Sequence, residues 1–521
     1  MERTETGEHW GTRLGFIFAI IGAMVGSGNI WRFPRMMAMY GGGAFLIPYS
    51  IALFTVAIPL LISEGIIGRE TGNSTILGFA KYAGKKYAWL GAWVAWVNIG
   101  IMFYYAVVNG WALAYFVKGL TGLYASYAPG KGLETWNAFI GGWQPLFFTL
   151  LVWVFTWYVM AVGVKRIEKV ATFMVPSLIL FLVVVIIRAV TMPGADVGLT
   201  YMFKFDTTKL SNAEAWLQAY SQVLWSTGAG WGIYLTYSSY LKKKDDINLN
   251  SHITGFGDTS AALLGGLAVI TTVAVTAPLI GLDPFKVYAE GNVGLTFIWL
   301  TELFPKVPAG FAIGTLFYLA LFFAAFTSQI AITDVFVKNV VDFGVPRKKA
   351  ATYVAIIGLI AGIPAAIKIG WLDNQDWVWG VALLVSAVVI SFVMLKTGLE
   401  KNREVANRGS DIKIGKWWDI MIGYVAPLSI IVVMLWWIKQ SIDWYPETWW
   451  KPTETFSTGT VIFQWIKQSI DWYPETWWKP TETFSTGTVI FQWIIAAIAI
   501  WIIVNKMLMP KIEAKLAEEG A

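Results

Sequence analysis

The chain has no cysteine and only two histidines, and just 14% of its 521 residues are charged. Without cysteine there are no disulfides, thiolate metal sites or thiol nucleophiles, and the redox compartment leaves no trace in the sequence. His9 and His252 both fall in segments expected to face the cytoplasm, so they do not suggest a metal site. No base–nucleophile pair or metal-ligand cluster stands out, which leaves a membrane-embedded enzyme without support. No cleavable leader is expected, because residues 1–13 are polar and charged and run straight into a full apolar stretch. The net charge of +6 does not point to nucleic acid. Lys242–Lys244 is followed at once by Asp245 and Asp246, as in a solvated loop, and basic loops facing the cytoplasm account for the excess.

What the chain has in quantity is apolar surface: 56% of its residues are hydrophobic. Stretches able to cross roughly 30 Å of hydrocarbon recur about twelve times. They lie near 14–38, 43–67, 88–118, 146–163, 170–190, 214–240, 258–281, 309–341, 350–368, 377–396, 418–438 and 488–508. The expected class is an all-α polytopic membrane protein. Lys and Arg gather on alternate connections, at Arg3 and Arg13, Lys81–Lys86, Lys165–Lys169, Lys242–Lys244, Arg347–Lys349, Lys396–Lys416 and Lys506–Lys515. By the positive-inside rule both termini are then cytoplasmic and the protein sits in the cell (inner) membrane.

Two of the stretches are interrupted. In LGFIFAIIGAMVGSGNIWRFP, Gly22, Gly26 and Gly28 arrive near mid-span. The sixth, EAWLQAYSQVLWSTGAGWGIYLTYSSYL, carries Gly228, Gly230 and Gly232 at its centre. Glycine costs a helix about 1 kcal/mol relative to alanine, and hydrocarbon tolerates no unsatisfied backbone. Such breaks are viable where they face protein, water or an ion; close helix packing is the plainer alternative for any one of them. Five spans separate the two, so they enter from opposite sides. Two oppositely inserted halves, each opening on a broken helix, are the signature of an inverted-repeat secondary transporter. The expected division is an N-terminal segment at 1–13, one five-helix repeat at 14–190, a second at 214–396, two further helices at 418–508 and a tail at 509–521. Residues 437–464 recur letter for letter at 465–492, a tandem duplication expected to lengthen an external loop without changing topology.

Polar groups inside apolar spans default to functional expectations. Asn29, Ser226, Thr227, Asn292, Thr327, Ser328 and Gln329 supply neutral oxygens, which suit sodium better than calcium or magnesium, which recruit carboxylates. Hydroxyls back-bonding to their own helices are the plainer reading of each alone.

In HWGTRLGFIFAIIGAMVGSGNIWRFP, YGGGAFLIPY, SQVLWSTGAGWG, AAFTSQIA and LDNQDWVWG the chain resembles the neurotransmitter:sodium symporters, in particular the bacterial LeuT-like amino-acid transporters. The resemblance covers residues 8–436. It implies a LeuT-like fold of five plus five helices with helices 1 and 6 broken at mid-membrane. It also implies sodium-coupled import of an amino acid by alternating access. One sodium site would use Met24, Asn29, Ser226 and Asn292. The other would use Gly22, Val25, Ala324, Thr327 and Ser328.

The substrate carboxylate would meet Gly26, Ser27, Gly28 and Tyr105, and its side chain Ile101, Trp225, Gly228, Trp231 and Ile332. Met24 and Ser328 would also border the substrate. Relatives that carry monoamines have aspartate where this chain has Gly26, so glycine implies a substrate with its own carboxylate. A neutral, hydrophobic or aromatic amino acid is expected. Arg32 and Asp376 resemble an outer gate, with Tyr105 and Trp225 as an aromatic lid beneath it; Tyr240, Asp342 and Trp10 resemble an inner gate. The arginine that the family carries in the N-terminal segment is replaced by Gly7, and Arg3 or Arg13 are the candidates to stand in. Glu64 resembles a buried glutamate that braces the broken helices. Tyr49, Gln222, Ser226 and Thr296 resemble the chloride site of animal relatives, so chloride is expected to assist. The partners implied are the amino acid and the lipid bilayer, with no nucleic acid; the oligomeric state is not readable. A channel or a non-transporting amino-acid sensor on the same fold is the alternative, separated from a transporter by concentrative uptake.

Overall fold

A computed structural model describes residues 8–444 and 486–518. Its elements are all helical among the described residues. Among the described residues, nine helices are long and apolar enough to cross a membrane, and two sharply bent pairs bring the number to eleven. The first span is one such pair, Arg13–Met24 and Ser27–Met39, bent by 51°. The second and third spans are Gly42–Thr71 and Lys85–Leu120. The fourth is Gln144–Met160, bent by 71° against Lys131–Ile140, and the fifth is Val164–Val190. The sixth expected crossing appears as Ala213–Thr227 and Ile233–Ser238, parted by residues 228–232. The seventh to tenth spans are Asn248–Ile280, Gly310–Asp342, Arg347–Ile367 and Ile369–Thr397, followed by Lys416–Gln440 and Val489–Glu518.

Burial explains which spans carry chemistry. The most apolar window of the third span is 89% buried inside the protein and that of the eighth 72%, whereas those of the fifth and the last are 33% and 22%. Lipid solvates the outer helices, so they can be apolar all round, and the inner ones are left to line a site. The seventh span begins ten residues earlier than hydropathy suggests, at Asn248 rather than 258. Asp258 therefore lies inside that helix and is fully buried.

The expected cytoplasmic connections converge on one face of the bundle. Lys85 pairs with Glu513 at 2.6 Å, and Arg13 with Asp411 at 3.6 Å. Buried Arg69 donates to the carbonyls of Asp245 and Arg408 at 2.9 and 3.2 Å. Of the duplicated segment, the described helices use residues 437–444 of the first copy and 486–492 of the second. The connection expected between them lies outside the described residues.

Candidate functional site

The first break is a two-residue step. Val25 still donates to the Ile21 carbonyl at 2.7 Å, Gly26 is extended at φ −99° and ψ −171°, and a new helix starts at Ser27. The conformation of Gly26 is open to any residue; what excludes a side chain is space. A Cβ there would stand 2.8 Å from the Tyr105 hydroxyl and 3.0 Å from that of Ser328. The Ser27 N–H and hydroxyl both donate to the Tyr105 oxygen at 3.2 Å. The first N–H groups of a helix lack intrahelical partners and lie at its positive end, so this start suits an anion.

The sixth span breaks for a different reason. Gly228, Gly230 and Gly232 all adopt left-handed conformations, with φ of 63°, 91° and 74°, a region from which other residues are largely excluded. The freed backbone is held from two sides. Buried Glu64 accepts the Gly230 and Leu235 N–H groups at 2.6 and 3.1 Å, the brace that the sequence suggested. Asn98 of the third span donates to the Trp231 carbonyl at 3.2 Å, a contact that sequence reasoning missed. The two breaks lie against each other, since a Cβ on Gly228 would stand 2.2 Å from the Met24 sulfur.

Where they meet, Asn29 donates to the Ser226 hydroxyl at 3.0 Å and to the Asp258 carboxylate at 2.7 Å. Ser226 in turn donates to Asp258 Oδ1 at 3.0 Å. The Asn29 side-chain Oδ1 and the Met24 backbone carbonyl both accept from the Gly26 N–H, at 3.0 and 2.8 Å. The expectation at Asn292 is corrected here. It lies in the separate short helix Gly291–Val293, and its Oδ1 has no hydrogen-bond partner. Asp258 takes that place beside Asn29 and Ser226. Its Oδ2 is buried without a partner, and an isolated buried carboxylate oxygen is costly unless a cation answers it. The donor set, a carboxylate with an amide, a hydroxyl and a carbonyl, fits a hard monovalent cation.

The second expected group also comes together. Ser328 donates to the Ala23 carbonyl at 2.9 Å and reaches the Gly22 carbonyl at 3.4 Å. Thr327 donates to the carbonyls of Phe323 and Ala324 at 2.9 and 3.1 Å. A Cβ on Gly22 would stand 3.2 Å from the Thr327 Cβ. Val25 caps the first half-helix, and the last carbonyls of a helix lack intrahelical partners. The hydroxyls of Thr327 and Ser328 keep lone pairs while donating, so the group offers neutral oxygens from two helices.

Comparison with known proteins settles the class. The model of the sodium:neurotransmitter symporter family matches residues 7–139 and 139–513. The chain belongs to this family. An uncharacterized sodium-dependent transporter of Methanocaldococcus jannaschii is 33% identical over 448 residues, which is 82% of this chain and 89% of that protein. A sodium- and chloride-dependent GABA transporter of Drosophila melanogaster is 27% identical over 70% of this chain and 43% of its own length. Among solved structures, MhsT in complex with L-phenylalanine matches with a TM-score of 0.74 at 28% identity, covering 82% of this chain and 99% of that one. The protein is therefore a multi-pass membrane transporter of a sodium-dependent symporter family, with a LeuT-like fold, and not an enzyme.

The symporter's expected outer gate is not an ion pair in this structure. Arg32 bonds to Gln222 and, at 3.5 Å, to Ser221, while Asp376 accepts from Tyr104 at 2.8 Å. Beneath it Trp225 packs edge-on against Trp231, with ring centres 5.1 Å apart. Ile101, Trp231 and Ile332 are buried. At the other end Trp10 donates to the Tyr237 carbonyl at 3.0 Å and is itself buried. Tyr240 donates to Asp334 at 2.9 Å. Asp342, expected to meet Tyr240, instead pairs with Lys338 and accepts from the Ser74 N–H at 2.7 Å. That part of the inner gate is corrected: the acidic partner of Tyr240 is Asp334, two helical turns earlier on the same span.

The residues expected to hold chloride are brought together only in part. Tyr49 and Ser226 stand beside Asp258, a carboxylate that would repel an anion. Gln222 is engaged by Arg32. Thr296 lies in the separate stretch Gly294–Trp299, where its carbonyl accepts from Tyr318.

Proposed function

We propose that this symporter imports a neutral amino acid with a hydrophobic or aromatic side chain, coupled to sodium, by alternating access. The observation that carries the substrate class is Gly26. The space where an acidic side chain would hold an amine is taken up by the hydroxyls of Tyr105 and Ser328. What that space offers is donors: the helix start at Ser27–Gly28 and the Tyr105 hydroxyl, which suit a carboxylate. Ile101, Ile332, Trp231 and Trp225 would then surround the rest of the molecule with apolar or aromatic surface. The phenylalanine bound by the similar protein MhsT is of this class.

Sodium enters the reading through chemistry already described. Met24, Asn29, Ser226 and Asp258 would hold one ion, and Gly22, Val25, Ala324, Thr327 and Ser328 another. A sodium beside the substrate carboxylate strengthens its binding in a low-dielectric pocket, and by linkage the carboxylate strengthens sodium binding equally. That reciprocity lets a sodium gradient drive uptake. Asp258 supplies a fixed negative charge at the first ion, so chloride is not required. The basic connections on one face would place both termini in the cytoplasm of a cell (inner) membrane protein.

The test is equilibrium binding of radiolabelled L-phenylalanine to purified protein in sodium and in potassium, with dopamine and GABA as competitors. Sodium-dependent binding displaced by leucine or tryptophan and not by dopamine or GABA is expected. Preference for dopamine over amino acids would overturn the substrate class.

A further inference from the structure

The third span turns three side chains to one side. Asn98, Ile101 and Tyr105 stand at i, i+3 and i+7 of one helix, so they share a face, and all three are buried. Tyr105 lies at the first break, where the Ser27 N–H and hydroxyl donate to its oxygen. Asn98, two turns earlier, lies at the second break, where its Nδ2 donates to the Trp231 carbonyl at 3.2 Å.

A carbonyl can only accept, so this bond fixes which end of the Asn98 amide is the nitrogen. The Oδ1 is the end left over, and it is buried with no hydrogen-bond partner. Two donors of the same site are committed elsewhere. Trp231 Nε1 donates to the Leu224 carbonyl at 3.3 Å, and the Ser328 hydroxyl to the Ala23 carbonyl at 2.9 Å. A buried acceptor without a partner carries its full desolvation cost, so it calls for a donor from outside the chain.

Seven residues of helix rise about 10 Å. The Tyr105 end of the face suits a carboxylate, and Ile101 lies between it and Asn98. The row therefore fits, in order, an acid, an apolar body and a hydrogen-bond donor at the far tip. Leucine is too short to reach Asn98 from Tyr105, and phenylalanine carries no donor. Tyrosine has both the length and the phenol O–H. Trp225 and Trp231, edge-on with centres 5.1 Å apart, give the intervening body an aromatic wall.

We propose that Asn98 is a specificity-determining residue whose Oδ1 accepts a hydrogen bond from a donor on the substrate's ring, so that the transporter selects tyrosine over phenylalanine. It rests on the amino-acid reading above and names what that site recognises at the far end of its substrate. One amide then has two tasks: the nitrogen holds the break of the sixth span, and the oxygen reads the ring. A site with a buried acceptor rejects the analogue that lacks the donor, because the acceptor is left unpaired. A purely apolar pocket would favour phenylalanine instead, since the phenol hydroxyl would be dehydrated without return.

The experiment is competition against sodium-dependent binding of radiolabelled L-phenylalanine to the purified full chain. Tyrosine, phenylalanine and 4-fluorophenylalanine are the competitors, in the native protein and in Asn98→Leu, which is close in size and keeps neither hydrogen bond. In the native protein tyrosine should compete about tenfold better than phenylalanine. The fluorine offers no proton, so 4-fluorophenylalanine should compete no better than phenylalanine. In Asn98→Leu the tyrosine advantage should disappear. The ratio of competitors is the readout, because loss of the Trp231 contact alone would weaken both and leave the ratio unmoved. A native preference for phenylalanine, or a tyrosine advantage that survives Asn98→Leu, overturns the proposal. If Asn98→Leu does not fold, the order of the three competitors in the native protein carries the test. Absence of sodium-dependent binding of any amino acid would count against the amino-acid reading itself, and the proposal would fall with it.

Discussion

Asn29 donates a hydrogen bond to Asp258 at 2.7 Å, and so ties the second half of the first broken span to the interior of the seventh. Gly265 allows this approach, because a Cβ on it would stand 2.3 Å from the Asn29 carbonyl oxygen. Asp258→Asn keeps the shape and removes the charge, and is expected to weaken sodium activation of phenylalanine binding about 10- to 100-fold. Asn29→Ala should act in the same direction. The sodium dependence of equilibrium binding checks both, and an unchanged midpoint in Asp258→Asn would remove the carboxylate from the site.

The same carboxylate makes a statement about anions. With a fixed negative charge beside Ser226 and Tyr49, replacing chloride by gluconate at constant sodium should leave uptake into proteoliposomes unchanged. A fall on replacement would restore the chloride expectation and require another seat for the anion.

Gly26 is constrained by space alone. Gly26→Ala should raise the KM for phenylalanine about tenfold or more, because overpacking by one methyl group costs about 1–3 kcal/mol. Folding should be less affected, since φ −99° is open to alanine. Gly26→Asp should lose amino-acid binding altogether, as its carboxylate would face that of the substrate. Competition binding with phenylalanine measures both.

The duplicated segment gives a fourth expectation. The described helices draw on residues 437–444 and 486–492, which together make up parts of one copy of the repeat. Deleting residues 445–472 joins them through a single intact copy. Uptake and thermal midpoint in detergent should match those of the full chain. Loss of either would give the second copy a structural role.

The broken helices and their opposed entry were legible because glycine clusters are conspicuous inside apolar runs. The joint placement of Asn29 with Ser226 and the bracing role of Glu64 were legible only through the family resemblance. Asp258 was not, because hydropathy reads a charged residue as the edge of a span, and so it started the seventh helix there. The helix in fact starts at Asn248, about three turns earlier. The flanking Gly255, Gly257, Gly265 and Gly266 were the available signal, since small residues mark close helix contact. The pairing of Arg347 with Glu8 spans 339 positions, and Asn98 differs in no local way from a residue that merely joins helices. Contacts of that kind follow from how the helices are placed, which periodicity does not specify.

In the proposed mechanism Asp258 and the two helix breaks hold sodium next to the carboxylate of an amino acid. A sodium titration of radiolabelled L-phenylalanine binding to the purified protein, at constant ionic strength with potassium as replacement, tests it most directly. The account predicts saturable binding that vanishes without sodium, with the sodium midpoint moved to higher concentration in Asp258→Asn. Equal binding in potassium, or binding of the amino acid amide as tight as that of the free acid, would contradict it.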